Sequence, residues 1–211
     1  EYGRSFIRGD RTRYYVERSL RFDPALLQVR GTARLRGYWQ CERYFEDIRD
    51  RLLEEMTPKH MSAAALRLAD EIAAAPSVSV HVRRGDYTSA TGLQVHGLMG
   101  LEYYATAIDR VRASRGAGVR FFVFSDDPRW VVDHLPVPGS STVVSGQGLD
   151  EVDEMTLMSR CRDHIVANSS FSWWGAWLNR HPDTIVVAPR RWFATTALDA
   201  RDIVPSRWVA L

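Results

Sequence analysis

From Val78 onward the chain alternates short β-rich apolar runs with stretches of helical periodicity, and this alternation constrains the fold more than any other feature. The apolar runs cover 78–82, 119–124, 142–144, 164–167 and 184–187. Helical patterns occupy about 101–115, a segment near 128–134, about 150–160 and the Trp-rich stretch after Asn168. Strands that return parallel need crossover helices, so this order predicts an α/β, Rossmann-like parallel sheet with helices on both faces. Tyr104, Ala107, Ile108 and Val111 give the 101–115 helix an apolar stripe, and Gly116, Ala117 and Gly118 end it.

Residues 1–76 differ in texture. Tyr14-Tyr15-Val16 and Leu26-Leu27-Gln28-Val29 fit strands; Tyr44, Phe45, Ile48, Leu52 and Met56 form a helical stripe; 63–75 reads as an Ala-rich helix. Pro76-Ser77 marks the expected boundary between an N-terminal segment, 1–76, and a C-terminal domain, 77–211. Gly139-Ser140-Ser141 and Gly146-Gln147-Gly148 are loop signals, and no internal repeat is visible.

With 211 residues, 45% of them apolar, the chain can bury a sizeable core. Cys41 and Cys161 lie far apart and belong to no ligand cluster, which argues against a structural zinc or a disulfide framework. No run is long enough to span a bilayer and no signal peptide opens the sequence, so a cytoplasmic location is expected. The 28 basic residues, nearly all arginine, are spread evenly among 26 acidic ones. A nucleic-acid groove needs clustering, so nucleic acid is not an expected partner. Attraction to phosphorylated ligands, or peripheral contact with an anionic inner-membrane face, is compatible with the charge.

Two blocks carry chemistry. His81-Val82-Arg83-Arg84-Gly85-Asp86 sits where a strand should end, the place where open α/β sheets bind phosphates. Adjacent arginines on an extended chain point apart, so one can grip an oxyanion bidentately while a carboxylate such as Asp86 holds the other. The same residues also fit an ordinary surface ion pair. The second block is Ala167-Asn168-Ser169-Ser170-Phe171-Ser172-Trp173-Trp174-Gly175-Ala176-Trp177-Leu178, a strand end, a polar turn and a helix start. Asn168, Ser169 and Ser170 are N-cap types, and the first-turn N–H groups make an anion site. Phe171, Trp174 and Trp177, three apart, are expected to anchor the helix in the core while the serines face a ligand. Ser125, Asp126 and Asp127 end another strand, where a carboxylate caps a helix or accepts from a ribose or base edge. Asp150, Glu151, Asp153 and Glu154 suit the dipole of the helix they open.

With Gly37-Tyr38-Trp39-Gln40, Leu101-Glu102-Tyr103-Tyr104, Asp153 through Met155 to Cys161, and Ala188-Pro189-Arg190-Arg191-Trp192-Phe193, these blocks make the chain resemble the bacterial α-1,2-fucosyltransferases of glycosyltransferase family 11 over roughly 36–208. The resemblance implies a metal-independent, inverting GT-B-type transferase with no cofactor. It would use GDP-fucose as donor and a galactose-terminated oligosaccharide or lipid-linked glycan as acceptor, with 77–211 holding the donor. By resemblance, Arg83 contacts the β-phosphate, Arg84 is structural or lies at the cleft, and His81 orients Arg83 or the sugar. Asp86 completes the catalytic group. Ser125, Asp126, Asp153, Asn168, Ser169, Ser170 and Phe171 join Arg83 and Arg84 in binding GDP-fucose.

One departure stands out: the family's opening Gly-rich Gly-Asn-Gln turn has no counterpart here. The N-terminal half is therefore expected to be incomplete, with donor binding retained and transfer weak. Alternatives are another GDP-sugar transferase or a protein O-fucosyltransferase, a non-catalytic nucleotide- or glycan-binding fragment, and an unrelated α/β domain.

Overall fold

The computed structural model describes residues 13–139 and 141–211; Ser140 of the expected 139–141 loop and the first twelve residues of the expected N-terminal segment lie outside them. Two strands, β1 (Arg13–Val16) and β2 (Ala33–Arg36), pair in parallel by themselves. Six others, β3 (Ser77–Val82), β4 (Arg120–Ser125), β5 (Ser141–Val143), β6 (Asp163–Ile165), β7 (Val186–Ala188) and β8 (Val209–Ala210), form one parallel sheet in the spatial order β5-β4-β3-β6-β7-β8. The α/β, Rossmann-like architecture expected from the alternation is the one observed.

Seven α-helices are described: α1 (Arg49–Glu55), α2 (Ala63–Ala73), α3 (Ala90–Val95), α4 (Leu101–Arg115), α5 (Pro128–His134), α6 (Glu151–Arg160) and α7 (Ser170–Trp177). The period-two alternation of the central strands sorts the two layers. Val78, Val80, Val82, Phe121 and Val123 pack under α4 and α5, whereas Phe122 and Phe124 pack with α2 and α6. Both strands are buried on both faces, which is why they read as continuous apolar runs. Pro76 and Ser77 do turn the chain from α2 into β3, and α2 itself, N-terminal to that point, packs its Ala65, Leu68, Ala69 and Ile72 in the sheet's core.

Three sequence expectations need correcting. Residues 26–29 are not a strand: Pro24–Gln28 is a 3-10 helix, because Asp23 caps the Ala25 N–H and Pro24 fixes the first helical φ. The stripe from Tyr44 to Met56 is not one helix. Two 3-10 turns, Glu42–Tyr44 and Glu46–Ile48, precede α1, and Phe45 between them leaves helical geometry to stack on Trp174, with ring centroids 5.2 Å apart. The aromatic core of α7 is also shifted: Trp173 and Trp177, four apart, are buried, while Phe171 and Trp174 are half-buried.

Trp177 carries the larger share of this packing. Its indole N–H donates to Glu42 at 3.0 Å, and Glu42 also pairs with Arg207. Trp177→Ala is expected to cost about 3 to 5 kcal/mol in urea unfolding through cavity and lost hydrogen bond. Trp174→Ala should cost about 1 to 2 kcal/mol. Equal losses would contradict the burial pattern. Among the described residues, no helix is long and apolar enough to cross a membrane.

Candidate active site

The strand order places the site. The chain lays β3, β4 and β5 outward to one edge, then returns to set β6 beside β3 and continues through β7 and β8 to the other. The direction reverses between β3 and β6, and the loops leaving their carboxyl ends diverge there. Open parallel sheets bind ligands in that crevice. The Arg83–Asp86 loop leaves β3 and the Asn168–Ser170 turn follows β6, so the two sequence blocks, far apart along the chain, flank one crevice.

The β3 loop is held by three carboxylates. Arg83 pairs through Nη2 with Asp86 at 2.7 Å and through Nη1 with Asp126 at 3.1 Å. Arg84 pairs with Asp127 at 3.1 Å and lies 3.9 Å from the centre of the Trp130 ring. The expected division of labour is thus altered: Asp86 holds Arg83, the arginine expected to face the ligand, and Asp127 holds Arg84. Asp126 is occupied twice, since its other oxygen accepts the Arg84 N–H at 2.8 Å. Gly85 makes room for this contact, because a Cβ there would lie 2.5 Å from an Asp126 carboxylate oxygen. Asp127 caps α5 by accepting the Trp130 N–H; that bond and Arg84 hold its carboxyl below the usual range. Arg83 remains one-third exposed and Asp86 two-thirds exposed, at 33% and 68% of the side chain. The outer pair faces water.

Across the crevice, Ser169 occupies the N-cap of α7 in extended conformation, but its side chain makes no capping bond. The first-turn N–H groups are left for another acceptor. Ser170 is exposed and Ser169 buried, so only one of the two serines faces outward. Asn168 is a scaffold residue: its amide donates to the carbonyls of His96, Gly97 and Trp192, tying two loops to the turn. Tyr87 closes the same junction by donating to the Asn168 carbonyl at 3.1 Å, with Arg83 5.4 Å from its ring centre. His81 lies beneath the crevice. Its ring packs near Phe171, its Nδ1 has no partner, and burial, with Arg83 nearby, drives its pKa down to about 3. It is a neutral imidazole.

Ser125 shapes the turn after β4, its N–H donating to Ser145 and its hydroxyl accepting the Asp127 N–H. Ser145 in turn donates to Glu154, whose carboxyl is raised by burial. Asp153 is buried and accepts the Ser62 N–H at 3.3 Å, joining α6 to the start of α2. No hydrogen bond or ion pair links it to the Arg83 cluster. The structure therefore brings together Arg83, Arg84, Asp86 and Asp126, seats His81 at the end of β3 against Phe171 of the opposite wall, ties Asn168 to the loops around that wall, and places Asp153 at a helix junction.

Tyr87 and Tyr103 were not legible as site-building residues. Tyr103 donates to the carbonyls of Val166 and Val187 where β6 and β7 end. Their only sequence signal is an aromatic directly after Asp86 and another in the 101–104 block. Among the described residues, no three His, Cys, Asp or Glu side chains gather as a metal site.

The model of Glycosyl transferase family 11 matches residues 11–211. The chain belongs to glycosyl transferase family 11. This family member is 40% identical over 186 residues to an alpha-1,2-colitosyltransferase of Escherichia coli, covering 87% of the chain and 64% of that relative. It is 42% identical over 122 residues to the O-antigen biosynthesis glycosyltransferase WbnK of Escherichia coli, covering 57% of the chain and 40% of the relative. A galactoside alpha-(1,2)-fucosyltransferase 1 of Oryctolagus cuniculus is 28% identical over 156 residues, 69% of the chain and 41% of the relative. The chain thus spans less than two thirds of the length of these curated relatives. No solved structure gives a significant match.

Proposed function

We propose that this family 11 glycosyltransferase moves a 6-deoxyhexosyl group, L-fucosyl first, from its GDP ester to the 2-hydroxyl of a terminal galactoside, with inversion and without metal. One observation carries the reading: the Arg83 loop and the uncapped start of α7 flank the crevice where the sheet reverses direction. A diphosphate leaving group gains negative charge as its bond to the sugar breaks. Arg83 and the α7 N–H groups are donors fixed in advance where that charge develops. Arg84, locked between Asp127 and Trp130, serves the loop rather than the ligand. Asp86 and Asp126 set the direction of Arg83, and neutral His81 supports the floor.

The relative named for colitose favours a second reading, in which the transferred sugar is colitose, a 3,6-dideoxyhexose. Turnover of GDP-fucose against GDP-colitose with a β-galactoside acceptor separates the two. For the donor site itself, calorimetry with GDP in excess EDTA is expected to give micromolar-scale binding. Binding that appears only on adding Mg²⁺ or Mn²⁺ would overturn the metal-free part of the proposal. No binding under either condition would overturn the donor site.

A further inference from the structure

Beside the start of α7 lies a second cavity, of about 240 Å³, whose walls include Tyr38, Trp39, Phe45, Trp173, Trp174 and Trp192. It touches the crevice through Ser170, which also lines it. Two features mark it as a built site.

Trp39 is the only non-glycine residue with positive φ among the described residues, at 52°. A bulky side chain in the left-handed region is strained, and such strain persists where surroundings over-determine it, often at ligand clamps. Glu17 supplies the constraint, its carboxylate accepting the Tyr38 N–H at 2.7 Å and the Trp39 N–H at 3.1 Å. Gly37 allows Glu17 that close, since a Cβ there would sit 2.3 Å from the Glu17 Cβ. The backbone is thus bent to hold Trp39 against the cavity. Second, the buried indole N–H of Trp39 has no acceptor. Buried donors are nearly always paired, so an unpaired one on a residue of the cavity wall asks for an acceptor that a ligand can bring.

Resting on the donor-site reading above, we propose that this cavity holds the acceptor sugar as an uncharged pyranose ring, stacked on an aromatic wall and hydrogen-bonded by the Trp39 N–H. At 240 Å³ it is smaller than the roughly 300–1,000 Å³ of pockets for drug-sized ligands, so it suits one ring and not a nucleoside diphosphate. No carboxylate lines it to receive the N–H edge of guanine. Gln40 lines it and its amide makes no hydrogen bond among the described residues, leaving a second polar group for hydroxyls. Ser170 then lies between sugar and diphosphate, which brings the hydroxyl toward the bond that breaks.

The test is saturation-transfer NMR with methyl β-D-galactopyranoside alongside calorimetry with GDP, on the wild type, Trp39→Phe and Gln40→Ala. Trp39→Phe keeps a ring and removes the N–H, so galactoside affinity should fall about tenfold while GDP affinity stays within about twofold. Gln40→Ala should weaken the galactoside selectively as well, and it decides alone if circular dichroism shows Trp39→Phe misfolded. Galactoside binding that is absent in the wild type, or unchanged in the folded variants, overturns the proposal. A parallel loss of GDP affinity overturns it too, making the cavity part of the donor site. Galactoside binding that depends on Trp39 in a protein that does not bind GDP supports this proposal and sinks the donor-site reading.

Discussion

Arg83→Ala should lower kcat/KM for sugar transfer by roughly two to three orders of magnitude while leaving the fold intact, because a preorganised donor aimed at developing charge is worth most in the transition state. GDP binding in the ground state should weaken by about 1.5 to 3 kcal/mol, the range of a charge-assisted contact. Little stability is at stake. The Arg83–Asp86 pair is exposed, and pairs of that kind contribute about 0 to 1 kcal/mol. Arg83→Lys should recover little, since a point charge cannot engage Asp126 and a phosphate with a planar fork. The five charged groups of the loop, Arg83 and Arg84 against Asp86, Asp126 and Asp127, carry one more carboxylate than cation. A diphosphate must therefore displace a carboxylate, and the more exposed Asp86 is the one that yields. Asp86→Asn should change GDP affinity by only a few-fold, upward. Turnover by Arg83→Ala equal to wild type, with normal circular dichroism, would remove Arg83 from the mechanism.

The central fold was legible where burial is two-sided. β3 and β4 are apolar runs because helices cover both faces, and α4 showed its stripe and its terminating glycine. What escaped has physical causes. β2 reads Ala-Arg-Leu-Arg, an exposed strand in a two-stranded pair whose charges hide it. β8 is two residues long, and α3 is a six-residue helix containing a glycine. At the site, residue types at strand ends were legible, while partnerships across the fold were not. Asp126 reaches Arg83 from 43 positions away, and only the β3–β4 register brings them together. Asn168 read as a cap, but its amide ties loops near 96 and 192, contacts no local rule foresees. Asp153 is expected to bind the donor from the resemblance, and the contact its carboxylate makes is to the Ser62 N–H at the start of α2, an element of the other segment. Local chemistry pointed to the candidate crevice; tertiary pairing decides which side chains touch there.

Acidification should destabilise the protein steeply between pH 6.5 and about 4.5, before most carboxylates titrate. His81 and His164 are enclosed, and burial holds each near a pKa of about 3, with Arg83 and His181 respectively adding repulsion. In the unfolded chain both take up protons near 6.5. Between about 3 and 6.5 the unfolded state therefore binds more protons, and stability falls as the pH falls. Each histidine contributes up to about 1.4 kcal/mol per pH unit, so the pair removes about 5 kcal/mol over two units. Glu154 opposes this near the lower end, because its raised carboxyl takes up a proton in the folded state first. Asp127, held low, adds to the loss only below the unfolded carboxylate range near 4. The environment explains the size: His164 has one partner, the Ser79 hydroxyl at 2.8 Å, and its Nε2 has none, while His81 lacks a partner at Nδ1. Neither ring can keep a second proton without solvent. Urea midpoints measured across this range should fall about half as steeply in His164→Gln as in wild type, and stay nearly level in the variant that also carries His81→Gln. The absolute stability of those variants is irrelevant, because the readout is the slope. A double variant retaining the wild-type slope would show that other groups drive the acid response and that these two buried imidazoles are not held neutral by burial.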